Sequence, residues 1–194
     1  MYKIFLIRQS VNLDGVIMIR EYQGKSPVID TSAYIDVSSV IIGDVIIGAD
    51  SSVWPCVVIR GDVNAIKIGA RTNVQDGTVI HVAHDGPYSP GGYPALIGND
   101  VTIGHQATIH ACTILDRVLV GMGARILDGA HIESDVVIGA ASLVPPKKVL
   151  QSGYLYLGSP VRRVRKLTQK ELQHLSYSAN HYVKLATKHK AEKN

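Results

Sequence analysis

The chain has 194 residues, 46% of them apolar, and a formal net charge of +4. That length suits one domain with an appendage and is enough to bury a continuous core, and apolar runs broken every few residues by Gly, Asp or Ser exclude a membrane span. The basic excess falls late, at Arg162, Arg163, Arg165, Lys166 and from Lys184 to Lys193, and aromatic residues do not interleave with it as a nucleic-acid stacking platform requires, so neither nucleic acid nor membrane is an expected partner.

Residues 1–28 form an N-terminal extension with lead-in strands. Alternation in Tyr2–Ile7 and in Val16–Ile19 predicts short strands around a turn at Asn12–Gly15. The apolar run Ile4–Ile7 is too brief for a signal-peptide core and no small-residue cleavage site follows, so a cytoplasmic protein is expected. Met18 is an alternative start, which would make residues 1–17 dispensable to the fold.

From 29 to 150 an aliphatic residue returns every sixth position. Ile29, Ile35, Ile41, Ile47, Val53 and Ile59 begin the series; Ile68, Val74 and Ile80 follow, then Ile97, Ile103 and Ile109, then Ile114 through Val144. The frequent glycines between them exclude helix, since each costs about 1 kcal/mol against Ala in a helix interior. A repeat of six predicts an all-β parallel β-helix, with short strands, tight turns and each head residue pointing into a stacked core. The fifth place of many units (Ser51, Val57, Val63, Ala107, Thr113, Ala124, Ala130, Ser142) is expected to pack inward as well. Cys56 and Cys112 lack metal-type spacing and read as buried free thiols.

The beat breaks three times. Extra residues enter between Ile59 and Ile68, a Pro- and Gly-rich excursion separates Ile80 from Ile97, and one residue is missing before Ile114. Residues 151–194 comprise a linker, a C-terminal helix and a basic tail. Thr168-x-x-Glu171 predicts a capping box, and Leu172, Leu175, Ala179, Tyr182 or Val183, and Ala186 give the helix one apolar face along the coil. Residues 188–194 are expected to fray.

Three histidines follow from this arithmetic. With three hexapeptides per coil, His81 and His110 each follow a head residue on neighbouring rungs once the excursion is looped out, roughly 4.8 Å apart. Two imidazoles at that spacing can share a metal. His105 falls on a different face or corner and completes such a site only from a neighbouring chain, which in a closed cyclic ring gives three equal sites from three chains. Three imidazoles with one open position are the ligand set of a catalytic zinc centre.

Taken together, Ile59-Arg60-Gly61-Asp62, Asn73-Val74-Gln75-Asp76-Gly77 leading to Ile80-His81, Ile103-Gly104-His105 with His110, and Leu157-Gly158-Ser159-Pro160 before a helix resemble the γ-class carbonic anhydrases and their bacterial relatives. The resemblance spans about residues 19–188. It implies a left-handed parallel β-helix, a homotrimer with a metal at each interface, and reversible hydration of CO2 to bicarbonate by metal-activated water. By the same resemblance His81, His105 and His110 are metal ligands, with His105 contributed by the adjacent subunit, for Zn2+ or alternatively Fe2+ or Co2+. Arg60 and Asp62 would form an ion pair at the site, Gln75 would contact the activated water and Asp76 would support the network, with Tyr182 and Asn180 facing the site from the helix. The chain departs from the family at its proton shuttle. Val63-Asn64-Ala65 and Val82-Ala83-His84 replace an acidic loop and a Glu, leaving His84 as the candidate shuttle. A hexapeptide acyltransferase or acyl-CoA thioesterase, and a non-catalytic metal-binding trimer, are the competing readings.

Overall fold

The computed structural model describes residues 18–192. The strand expected at Tyr2–Ile7 and its turn lie outside them, and of the second stretch the described part contributes to the short strand Ile19–Arg20. From Val28 onward the sixes wind as a parallel β-solenoid with three faces. Head residues stack on head residues: Ile114 pairs with Ile132 and Ile126 with Val144, one coil of eighteen residues apart. Across the excursion the same ladder joins Ile80 to Ile109, so the extra residues are looped out without disturbing the register.

The strands are mostly two or three residues long, with two exceptions. Val40–Ile47 and Val58–Ile68 run on through a corner, with a register irregularity after Gly43, and so join two faces into one twelve-stranded sheet. The third face is an eight-stranded sheet starting at Tyr34–Ile35. It ends in Tyr154–Leu157 and an antiparallel strand, Arg162–Lys166, that the hexapeptide beat did not announce. Charged residues on that last strand suit an edge that must not recruit another sheet.

The head residues from Ile41 to Val144 are buried, while Ile29 and Ile35 at the first coil are partly covered. The residue two places before each head also points inward, as Val57, Ala107, Ala124, Ala130 and Ser142 do. The fifth-place expectation fails at Val63, which is exposed, and at Thr113, which is half-buried. Those two units are lengthened and shortened, so the inward place passes to Ile66 and Cys112, both buried. Cys112 is a buried thiol as expected, its pKa pushed up to about 12 by burial and then by the charge of Asp128. Cys56 is exposed, contrary to expectation, because it is the second residue of a corner turn with φ +58°.

One corner is pinned by charge. Asp50, Arg71, Asp100, Arg117 and Asp135 stack there, each with φ between 54° and 60°. That left-handed conformation costs about 1–2 kcal/mol per non-glycine residue. Bidentate pairs from Arg71 to Asp100 and from Arg117 to Asp135, at 2.7 and 2.8 Å, help hold it.

Helix α1, Gln169–Glu192, lies along the eight-stranded face and buries Leu175, Ala179 and Ala186. Its capping box forms: the Thr168 N–H donates to Glu171 Oε2 at 2.8 Å and the Glu171 N–H to Thr168 Oγ1 at 3.3 Å. The end of α1 is not frayed up to Glu192. His189 packs 5.1 Å from the Trp54 ring and 5.7 Å from Tyr34, and Lys190 Nζ donates to the carbonyls of Thr31 and Ser32. No helix among the described residues is long and apolar enough to cross a membrane.

Ile132 is 0% exposed and stacks on Ile114, one coil beyond the coil that carries His110. Ile132→Ala should destabilise the protein by about 2–5 kcal/mol through the cavity left in the stack, read as a lower denaturation midpoint with the helix and sheet signals still melting together.

Candidate metal centre

His81 ends the strand Val79–His81 and His110 ends Thr108–His110, directly paired on adjacent rungs. His81 Nδ1 and His110 Nε2 face each other at 3.2 Å. Each imidazole is engaged at its other nitrogen by a carboxylate. His81 Nε2 meets Asp62 Oδ1 at 3.0 Å, and His110 Nδ1 meets Asp128 Oδ1 at 2.6 Å.

The acceptors fix the tautomers. Burial opposes ionisation of Asp62, but the hydrogen bonds from Arg60 and His81 outweigh it and hold its pKa below the usual range, so Asp62 accepts and His81 carries its proton on Nε2. Burial, only partly offset by the Asp62 hydrogen bond, pushes His81 below the ordinary imidazole value and so favours the neutral ring. His110 likewise donates from Nδ1 to Asp128. Two lone pairs then point at one another, an arrangement that a bound cation relieves. Two nitrogens on a tetrahedral zinc, each about 2.0–2.1 Å from the ion, stand roughly 3.3 Å apart, so the spacing and the donor set both fit a metal. Histidines oriented by carboxylates in this way are a recurring feature of metal sites.

His105 occupies another corner. It opens the turn between Thr102–Ile103 and Thr108–His110, stacked on the turn Asp76-Gly77 of the coil before, where the Gln106 N–H donates to the Asp76 carbonyl at 2.8 Å. Its Nδ1 donates to Asp76 Oδ2 at 2.8 Å, which leaves the lone pair on Nε2 free. The turn at His105-Gln106 and the strand Thr108–His110 lie between this corner and His110. Among the described residues no group of three metal-ligating side chains forms within the chain.

The other expected site residues divide between the same two corners. Arg60 and Asp62 pair beside His81 and His110. His84 is exposed at the start of the excursion, lining one open depression with Asp62. Gln75 and Asp76 belong with His105. Tyr182 lies half-buried on α1 against Trp54, with ring centroids 5.6 Å apart, and its pKa is raised by burial and by the charge of Asp76. Asn180 is exposed on α1 and hydrogen-bonds none of the other site residues among those described.

Two further residues orient the set. Asp128 holds His110. Asn73, 1% exposed, fixes the amide of Gln75: its Nδ2 donates to the Val101 carbonyl at 3.3 Å and to Thr102 Oγ1 at 3.0 Å, so its Oδ1 accepts from Gln75 Nε2 at 3.0 Å. Gln75 Oε1 is thereby left to accept. The line continues from Thr102 Oγ1 to Ser178 Oγ on α1 at 3.0 Å.

Comparison with known proteins decides the family. The chain is 41% identical to a carbonic anhydrase of Geobacillus kaustophilus (strain HTA426), over 90% of its own length and 92% of that protein. It belongs to the γ-carbonic anhydrase-like hexapeptide-repeat family. It is also 54% identical to Protein YrdA of Escherichia coli (strain K12), over 86% of this chain and 91% of that one. Gamma carbonic anhydrase 2, mitochondrial, of Arabidopsis thaliana is 45% identical over 87% of this chain and 60% of its own length. Among solved structures, a putative acetyltransferase from Bacillus cereus superposes with a TM-score of 0.84 at 39% identity, over 90% of this chain and 97% of that one. No family model matches the chain. Within this γ-carbonic anhydrase-like family, the histidine pair, its carboxylates and the Gln75 amide are the features on which a function can be argued.

Proposed function

We propose that the chain is a subunit of a homotrimeric, metal-dependent carbonic anhydrase that interconverts CO2 and bicarbonate. The observation that carries this reading is the apposition of His81 Nδ1 and His110 Nε2 at 3.2 Å with their other nitrogens committed to carboxylates. Each chain supplies half of two sites: His81 and His110 with Arg60 and Asp62 from one corner, and His105 with Gln75 and Asp76 for its neighbour. Zn2+ suits three imidazoles, and Fe2+ or Co2+ accept the same donors. When bound, the metal lowers the pKa of a water molecule toward neutrality.

The protein's own groups do the rest. Asp62, Asp76 and Asp128 hold the three rings in the tautomer that leaves a lone pair for the ion. Gln75 Oε1 accepts a hydrogen bond from the attacking water and aims it at the carbon of CO2. Arg60 keeps Asp62 ionised. Tyr182 and Asn180 bound the site from α1, and His84 takes the released proton to solvent. Hydration consumes CO2 and water and yields bicarbonate and that one proton.

The hexapeptide acyltransferase reading draws on the likeness to the Bacillus cereus putative acetyltransferase. One general-base histidine would suffice for that chemistry, which leaves the paired imidazoles without a purpose. Metal analysis of the purified protein and stopped-flow CO2 hydration with zinc, cobalt and anaerobically loaded iron test the proposal. About one metal per chain with metal-dependent hydration is expected. A metal-free monomer that transfers acyl groups from acetyl-CoA would overturn it, and a loaded trimer without hydration would leave a metal-binding scaffold.

A further inference from the structure

The excursion leaves the solenoid after His81 and rejoins it at the strand Ala95–Ile97. Its two ends are zipped together, with Ala83 and Tyr93 exchanging backbone hydrogen bonds of 3.0 and 3.1 Å. Asn64, on Val58–Ile68 in the coil below, reaches this zip. Its Oδ1 accepts the Ala65 N–H at 2.8 Å, which turns its Nδ2 toward the loop, where it donates to the Ala83 carbonyl at 3.2 Å. The return limb is fitted to that amide: a Cβ on Gly92 would stand 2.8 Å from Asn64 Nδ2 and 2.6 Å from the Ala83 oxygen, and Gly92 has φ +64°.

His84 is the next residue after Ala83, its ring lying close over Gly86. With Asn64, Asp62, Tyr22, Lys25 and Asp44 it lines an open depression of about 390 Å3. Asp62 joins this depression to His81. The His84 imidazole therefore stands beside an open depression that reaches the histidine pair through Asp62, and its place there depends on where Ala83 is held.

We propose that Asn64 is a positioning residue for CO2 hydration: it clasps the root of the excursion through the Ala83 carbonyl and so holds His84 over the depression. Water in the depression then carries the released proton to the His84 imidazole, which passes it to a buffer base in solution. This rests on the hydration reading given above. It also supplies what the missing acidic loop would have done, using a neutral clasp and an imidazole in place of carboxylates.

Asn64→Ala and Asn64→Asp test it on the metal-loaded full chain, the second keeping the acceptor for Ala65 while losing the donor. Both should speed hydrogen exchange at the Ala83 and Tyr93 amides by about fivefold, the factor expected from one net hydrogen bond. Both should lower kcat in dilute buffer by about tenfold or more, with kcat/KM and metal content unchanged, and added imidazole should restore kcat. Unchanged exchange in both variants would overturn the clasp. Altered exchange with kcat unchanged, or with kcat and kcat/KM falling together beyond rescue by buffer, would overturn the role in proton release. A wild-type protein without any hydration would instead reject the parent reading, and the exchange measurement would still decide the clasp.

Discussion

His110→Ala should leave a folded protein that no longer holds its metal. The His110 ring is about one-third exposed, whereas the neighbouring Ile109 that carries the core is 0% exposed, so the solenoid loses little packing. What disappears is one of the two lone pairs that face each other at 3.2 Å. Removing an outer-shell partner of a metal-binding histidine costs about 10–100-fold in affinity, so removing the ligand itself should cost at least about 100-fold. Metal analysis after dialysis should fall from about one ion per chain to background, and CO2 hydration should fall with it. A variant that retains full metal content would show that His110 is not a ligand, and the tautomer argument built on Asp128 would fall as well.

Much of the scaffold could be read before any coordinates, because a solenoid repeats its core requirement every six residues and tolerates few substitutes at the head. The three breaks in the beat were informative for the same reason: a ladder from Ile80 to Ile109 is possible only if the intervening residues are ejected. The capping box at Thr168 and Glu171 was legible since both partners are local in sequence. The hairpin of Tyr154–Leu157 with Arg162–Lys166 was not, since its last strand is wholly exposed and strongly basic and shows no alternation. Cys56 departs from the expectation because a thiol in a repeat unit looks like a core residue, whereas its place in the turn exposes it.

The histidines were found by counting, and the same count would have found more. Asp128 stands one coil of eighteen residues beyond His110 and Asp76 one looped coil before His105. Carboxylates at those offsets are the signal for oriented imidazoles, although Asp128 by itself looks like part of an ordinary turn, Asp128-Gly129. Asn73 and Asn64 act through hydrogen bonds to the carbonyls of Val101 and Ala83, which no side-chain pattern encodes.

The division of the site residues between two corners of one chain is the observation with the widest consequence. Arg60, Asp62, His81, His84 and His110 gather at one, and Gln75, Asp76 and His105 at the other, with no metal-ligating group of three formed among the described residues. A closed ring of identical chains brings unlike corners together at every interface. Two inactive variants, His105→Ala and His110→Ala, should therefore complement one another when their chains are mixed by unfolding and reassembly. In a random equal mixture about one interface in four joins an intact His81–His110 pair to an intact His105, so metal content and CO2 hydration should each recover to about a quarter of the wild-type value. Recovery at that level is the expected result, and mixed assemblies as empty and inactive as either parent would contradict a metal centre shared between subunits.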